Sequence, residues 1–179
     1  MTPALIANRP AQESAEPSFE ELYRASAGDV YAYACTLLRD PSAAEEVTAL
    51  AFERAYRRRT SFDARRGNQR AWLFGIARNA ALDELRRRKR LAPLEPLPAH
   101  EWAGEDYFDE PGERAVTRAA VCAALLSLEA RDRELIALKF HAGLANADLA
   151  RILGVSESNA GTRLHRAITR LRRAFDETS

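Results

Sequence analysis

NADLARILGVSESNAGTRLHRAITRLRR, residues 146–173, carries the pattern of two helices separated by a tight turn. Leu149 and Leu153 give the first segment an apolar face, and Gly154 follows where helices often end in the left-handed conformation. Ser156 can then cap the second helix. A short helix, a glycine-containing turn and a second helix form the helix-turn-helix arrangement found in many DNA-binding proteins.

The second helix of this motif has an apolar face and a basic face. Positions spaced four, three and four residues apart predict one buried stripe, and they are Leu164, Ile168, Leu171 and Phe175. A second stripe lies well over a quarter-turn round the helix, and it consists of Arg163, Arg166, Arg170 and Arg173. A helix seated in the major groove needs such a basic face. A solvated amphipathic helix is the alternative, but it leaves the preceding turn unexplained, so we predict DNA contact.

Helical spacing of apolar residues continues through most of the chain, and no stretch alternates with a period of two for long enough to predict a sheet. A first helix is predicted from Phe19, with Gly28 as a candidate irregularity. A second begins at a capping box formed by Ser42 and Glu45 and runs to about Arg59. Further helices are predicted over about 72–90, 113–127, 131–141, 145–153 and 157–176. The sequence therefore predicts an all-α fold.

Composition divides the chain into four parts. Residues 1–17 are rich in Pro, Ala and Glu, which predicts a disordered tail. Residues 18–90 predict a first helical domain, and residues 113–179 predict a second domain with the helix-turn-helix. Residues 91–112 contain four prolines and an acidic excess, which predicts an extended linker unless its aromatic residues dock on a domain. We therefore expect two small helical domains that fold separately, with a protease-sensitive segment between them.

The net charge of +1 conceals a strong segregation of charge. Residues 54–90 contain 13 Arg or Lys against three carboxylates, whereas residues 91–113 contain seven carboxylates and no Arg or Lys. Five consecutive cations, RRRKR at residues 86–90, end the first domain. The helix dipole favours one or two of them, but together they repel one another unless an anion lies alongside. We expect DNA phosphates to supply that anion.

Several classes of function find no support in the sequence. Cys35 and Cys122 lack companions at metal-ligand spacing, so neither a disulfide framework nor a zinc site is predicted. The chain has no glycine-rich phosphate loop and no nucleophile motif, so no enzymatic activity, metal or cofactor is expected. Its N-terminus lacks a signal-peptide core, and no apolar run is long enough to span a bilayer. We expect a cytoplasmic protein without membrane insertion.

Three segments, in their order and separation, resemble regions two and four of the extracytoplasmic-function (ECF) sigma factors, the smallest members of the main bacterial sigma family. They are AAEEVTALAFERAYRRR (43–59), SFDARRGNQRAWLFGIARNAALDELRRRKR (61–90) and RDRELIALKFHAGLANADLARILGVSESNAGTRLHRAITRLRR (131–173). The resemblance covers roughly residues 19–176. It implies a sigma factor that binds RNA polymerase core, reads two promoter elements and helps to melt the DNA. It also implies promoter DNA, RNA polymerase core and an anti-sigma factor as partners of a chain that is monomeric when free.

By this resemblance, the first domain recognises the −10 element and opens the strands. Cations would hold the phosphates, and aromatic faces would receive unstacked bases. The candidate residues are Phe62, Arg65, Arg66, Trp72, Arg78, Asn79, Arg86, Arg87, Arg88 and Arg90. For Trp72 we favour a place in the core over contact with a base. Asn79 offers an amide that can read a base edge.

The same resemblance implies that the second domain reads the −35 element. The candidate residues are Ser158, Asn159, Thr162, Arg163, Arg166 and Arg170. The family often has Gly-Thr-Val where this chain has Ser158, Asn159 and Ala160. We therefore expect this chain to recognise a different DNA sequence.

Contact with RNA polymerase core is implied for the helix over residues 44–56. The candidate residues are Glu45, Glu46 and Phe52. Where the family usually has a Gln and a further acidic residue, this chain has Ala49 and Leu50, which predicts weaker or relocated contacts. Glu45 and Glu46 also fit a simpler role, because carboxylates near a helix N-terminus stabilise the helix.

A stand-alone dimeric repressor is the competing interpretation of the helix-turn-helix. Such a protein would read duplex DNA without polymerase and would have no use for a strand-opening domain. Run-off transcription with purified RNA polymerase core separates the two classes, because a sigma factor confers initiation and a repressor does not.

Overall fold

The computed structural model describes residues 18–91 and 113–178, and every regular element in these ranges is helical. The α-helices are α1 (Phe19–Leu38), α2 (Pro41–Arg57), α3 (Gln69–Leu91), α4 (Glu113–Ser127), α5 (Ala130–Phe140), α6 (Asn146–Leu153) and α7 (Glu157–Thr178). Two short 3-10 turns, Arg59–Ser61 and Ala64–Arg66, lie between α2 and α3. The predicted all-α fold is confirmed. The predicted tail and, apart from Leu91, the predicted linker lie outside the described residues.

The first helix begins at a capping box that sequence reasoning missed. The Ser18 Oγ accepts a hydrogen bond from the Glu21 N–H at 3.2 Å, and the Glu21 carboxylate accepts one from the Ser18 N–H at 2.6 Å. Two backbone donors at the helix start are satisfied in this way. The helix runs without interruption through Gly28, the candidate site of an irregularity, so no irregularity occurs there.

The second helix begins at a different residue from the predicted one. The capping box proposed for Ser42 and Glu45 is wrong, because the cap is Asp40, whose Oδ1 accepts from the Ala43 N–H at 3.1 Å. Pro41 follows at the first helical position, where its missing N–H costs nothing and its fixed φ suits the helix. The Asp-Pro pair is therefore the start signal that the sequence contains.

Helices α1, α2 and α3 pack against one another and form the first helical unit. Tyr33 on α1 and Leu73 and Phe74 on α3 are fully buried, and the rings of Tyr33 and Phe74 meet edge-to-face with centroids 5.7 Å apart. Several alanines are also almost completely buried between these helices, and they are Ala34, Ala44, Ala51, Ala55, Ala77, Ala80 and Ala81. Small residues let helix backbones approach closely. This packing fixes α3, which carries most of the predicted −10 residues.

Helix α7 is the centre of the second unit and packs against α4, α5 and α6. Leu164 and Ala167 are buried, and Ile168 and Leu171 pack against the same core. These positions include three members of the predicted apolar stripe. The opposite side of α7 is left facing solvent.

The two units also touch one another directly, which the prediction of separately folding domains did not include. Helix α1 packs against α5, and α3 packs against α6. The buried apolar residues of both units form one continuous cluster. The units are therefore joined by packed surface as well as by the chain.

Candidate nucleic-acid interface

The turn between α6 and α7 has the geometry that the sequence predicted. Gly154 ends α6 with a φ of 67°, in the left-handed region that favours glycine. The Val155 N–H donates to the Ala150 carbonyl at 3.0 Å and closes the turn. The Ser156 Oγ accepts from the Asn159 N–H at 3.2 Å and caps α7. The glycine end and the serine cap are both confirmed.

The exposed side of α7 brings the predicted −35 residues together. Ser158, Asn159, Thr162, Arg163, Arg166 and Arg170 are all exposed. Arg170 forms an ion pair with Asp132 of α5, which ties the middle of this face to the rest of the unit. Within the described residues no carboxylate pairs with Arg163 or Arg166, so these two guanidinium groups remain available to a polyanion.

A cleft of about 420 Å³ lies beside the 3-10 turns and α3. Phe62 and Trp72 form part of its wall, with ring centroids 5.5 Å apart, and the exposed Asn79 lines it as well. Trp72 is half-buried and also packs against the core, which is the role that the sequence favoured for it. Three of the predicted −10 residues therefore meet in one cavity.

Local hydrogen bonds shape the loop that leads into this cleft. The Asp63 carboxylate binds the Arg65 guanidinium through two hydrogen bonds of 3.0 and 3.2 Å and also accepts from the Arg65 N–H. Arg66 ends the second 3-10 turn. Asn68 then caps α3, because its Oδ1 accepts from the Ala71 N–H at 2.6 Å. Arg65 is thus held at the surface of the loop, beside the cleft.

The cationic end of α3 is partly neutralised by carboxylates of the protein itself. Arg86 pairs with Asp83, Arg87 with Glu84, and Arg88 with both Glu84 and Asp40. The hydrogen bond from Arg87 lowers the pKa of Glu84. Lys89 and Arg90 are exposed, and no carboxylate among the described residues pairs with either. The sequence predicted that DNA phosphates relieve the repulsion among these five cations. In the structure, carboxylates of the protein already relieve part of it.

The predicted polymerase-binding residues are placed in two different environments. Glu45 and Glu46 are exposed on α2, whereas Phe52 is buried, with its ring centroid 4.7 Å from that of Tyr23. Tyr23 and Tyr56 are about half exposed on the same side of the unit. Tyr56 lies four residues after Phe52, and this spacing places both rings on one face of α2.

Two cations of α3 bind the second unit. The Arg78 Nε donates to the Glu134 Oε1 on α5 at 2.6 Å. Arg70, which in the sequence is one cation among many, donates to the carbonyls of His141 and Ala142 at 2.9 and 2.6 Å. These partners lie far away in the sequence, so no local pattern identifies them.

In residues 18–91 and 113–178, no group of three or more His, Cys, Asp or Glu is arranged to hold a metal ion. No helix in these ranges is long and apolar enough to cross a membrane.

The structure combines an all-α fold with a helix-turn-helix and, at a separate place, a cleft lined by aromatic residues. These features are typical of a DNA-binding transcription factor. Residues 22–91 match the family profile described as Sigma-70 region 2, and residues 118–171 match the profile described as Sigma-70, region 4. The ECF RNA polymerase sigma factor SigL of Mycobacterium tuberculosis is 30% identical over 156 residues, which cover 87% of this chain and 88% of SigL. The ECF RNA polymerase sigma factor BldN of Streptomyces coelicolor is 31% identical over 170 residues, covering 93% of this chain and 64% of BldN. The chain belongs to the ECF sigma factors.

Solved structures share the same arrangement of helices. The sigma factor RpoE from Bartonella quintana, in complex with the anti-sigma factor NepR, has a TM-score of 0.68 at 26% identity, covering 88% of this chain and 96% of that one. CnrH, in complex with the cytosolic domain of CnrY, has a TM-score of 0.63 at 23% identity, covering 90% of this chain and 89% of that one. The two matched profiles and the relatedness to SigL make the protein a sigma factor of transcription initiation.

Proposed function

We propose that the two helical units divide promoter recognition between them. The unit over residues 18–90 would recognise the −10 element and open the strands, and the unit over residues 113–179 would read the −35 element, with residues 91–112 spanning the distance. One observation carries this proposal, namely that the candidate residues form two separate surfaces of different shape: an exposed helix face on α7 and a cleft beside α3. A groove-seated helix reads duplex DNA, whereas a base enters a cleft only after it leaves the stack.

Core polymerase is proposed to bind the outer face of α2. Glu45 and Glu46 are exposed there, and Tyr23 and Tyr56 offer apolar surface nearby. The complex of RpoE with NepR supports an anti-sigma factor as a further partner of this chain. We propose that the free protein is a monomer and acts in the cytoplasm, since its polymerase partner works there.

Run-off transcription tests the function directly. Purified RNA polymerase core is combined with the protein on a pool of templates that carry randomised upstream sequence. We expect discrete transcripts that depend on the protein, and core polymerase alone serves as the control. A failure to obtain any protein-dependent transcript, together with binding of the protein to duplex DNA, would favour the repressor interpretation.

Salt dependence tests the contact between the end of α3 and DNA. Replacing Lys89 and Arg90 by alanine is expected to flatten the log–log dependence of promoter binding on salt by up to about two units, because each phosphate contact contributes about −0.9. The matched control is the pair Arg86→Ala and Arg87→Ala, whose side chains already bind carboxylates of α3, so a smaller change is expected. Titrations with labelled promoter duplex at several salt concentrations measure both slopes. Unchanged slopes in both variants would mean that the cluster is merely solvated.

A further inference from the structure

Three glycines in the described parts of the chain lie inside α-helices, where no turn requires them. They are Gly28, Gly75 and Gly161. None of them has the positive φ that favours glycine. Glycine weakens a helix interior relative to alanine, because it loses more conformational freedom on folding. A glycine at such a position therefore needs an explanation other than local backbone geometry.

Gly75 differs from the other two because it lines the cleft beside α3. A β-carbon built on Gly75 would come within 4 Å of no atom outside its own stretch of α3, so no neighbouring element requires the side chain to be absent. At Gly161, by contrast, the β-carbon would lie 3.4 Å from the Asn146 Nδ2. The space beside Gly75 is therefore open cleft, and the glycine keeps it open.

The wall that α3 contributes to this cleft carries no charged side chain. Trp72, Gly75 and Asn79 recur at spacings of three and four residues, so they follow one another along one side of the helix. The charged residues elsewhere in the lining, Asp63 and Arg151, already form ion pairs with other residues of the protein. This wall therefore suits a flat, uncharged group such as a nucleobase better than a phosphate.

Asn79 can bind the edge of such a base at the far end of the wall. Its amide makes no hydrogen bond within the part of the chain that the structure describes, whereas Asn68 uses both ends of its amide. Amide side chains read base edges with one donor and one acceptor. Trp72 and Asn79 are seven residues apart, which is about 10 Å along a helix axis. A base that contacts the Trp72 ring and reaches this amide must therefore lie across Gly75.

We propose that Gly75 is a specificity-determining residue of the cleft beside α3 and that it admits a purine. The inference rests on the proposed function of this cleft in recognition of the −10 element. A purine has two fused rings and a pyrimidine has one, so the purine needs more length along the wall between Trp72 and Asn79. A side chain at position 75 would project between the two ends of this wall. Without it, the longer base lies flat on the helix and its edge meets the Asn79 amide.

Holoenzyme bound to pre-melted promoter DNA tests this assignment. The promoter is one that run-off transcription selects from the randomised pool, and mismatches hold its −10 segment open, so unpairing no longer contributes to the affinity. Each unpaired position of the non-template strand is made a purine and a pyrimidine in turn. Titrations with these labelled templates measure the affinities. We expect the wild-type holoenzyme to prefer a purine at one position, on the order of tenfold.

Gly75→Ala and Gly75→Leu are expected to lower this preference progressively. Leucine should remove most of it, because the purine template binds more weakly while the pyrimidine template changes less. Gly28→Ala and Gly28→Leu are the matched controls, since Gly28 is exposed inside α1, has equally open surroundings and does not line the cleft. All four substitutions introduce a better helix former than glycine, and circular dichroism melts verify each fold. The controls should bind both templates as the wild-type protein does.

The order of the two substitutions separates space from flexibility. Alanine is the best helix former, so it would impair binding at least as strongly as leucine if Gly75 served to keep α3 flexible. That order would overturn the proposal, and so would an equal loss on purine and pyrimidine templates. Wild-type behaviour of Gly75→Leu would overturn it as well.

Asn79→Ala, measured on the same templates, separates this inference from the proposed function. If Asn79→Ala weakens binding and Gly75→Leu does not, the role of Gly75 is wrong and the assignment of the cleft stands. If neither variant changes binding to the pre-melted templates, the assignment of the cleft to the −10 element is itself wrong. We expect both variants to weaken binding of the purine template.

Discussion

Replacing Phe74 by alanine is expected to lower the free energy of unfolding by about 3–5 kcal/mol, the usual cost of truncating a buried phenylalanine. The side chain is fully buried in α3, and its ring meets that of Tyr33. The guanidinium carbon of Arg70 lies 5.3 Å from the ring centroid. Alanine would remove both contacts and leave a cavity, because close-packed helices relax only partly around a missing side chain.

Chemical denaturation of the full-length protein, followed by circular dichroism, measures this cost. Phe140→Ala is the matched control, since Phe140 is 64% exposed at the end of α5 and the same truncation should change stability by no more than about 0.5 kcal/mol. Phe74→Leu is expected to fall between the two, because it preserves much of the side-chain volume. Equal effects of alanine at positions 74 and 140 would contradict the packing described for α3.

Replacing Arg163 by alanine is expected to remove about 1–3 kcal/mol of discrimination at one base pair of the −35 element, as loss of a bidentate contact with guanine would. Arg163 is exposed in the first part of α7, the part of a recognition helix that reaches base edges. In the described part of the chain, no carboxylate has to be displaced before it can bind. Its contribution should therefore appear as sequence preference rather than as general affinity.

Duplexes selected by the wild-type protein from a randomised pool provide the DNA, and each position of the −35 element is then varied. Arg172→Ala is the control, because Arg172 is exposed on the same helix but lies about half a turn round it from Arg163, nine positions further on. The control should affect all sequences alike. If Arg163→Ala also weakened all sequences equally, Arg163 would be a phosphate contact and not a reader of bases.

The elements that sequence could predict are those that depend on neighbouring residues. Gly154 and Ser156 determine the turn of the helix-turn-helix through their own backbone and side-chain bonds, and both act as predicted. The two faces of α7 follow directly from helical spacing. The start of α2 was misassigned because two adjacent signals competed, and the Asp40 cap with Pro41 prevailed over Ser42.

The site was less predictable because several of its cations take partners from distant parts of the chain. Arg70 and Arg78 look like free positive charge in the sequence, yet their ligands come from residues 134, 141 and 142. Arg88 is similar, since Asp40 reaches it from the start of α2. Sequence patterns report helix faces, whereas these bonds depend on how the helices are placed relative to one another.

Asn68 combines two structural roles in one side chain. Its Oδ1 caps α3 through the Ala71 N–H, while its Nδ2 donates to Asp148 of the other unit. An aspartate at position 68 would keep the oxygen that starts the helix but would bring a second carboxylate against Asp148. Asparagine and aspartate codons differ by one nucleotide. A single point mutation would therefore replace attraction between the units by repulsion, while the cap of α3 and the predicted DNA-binding residues stay unchanged.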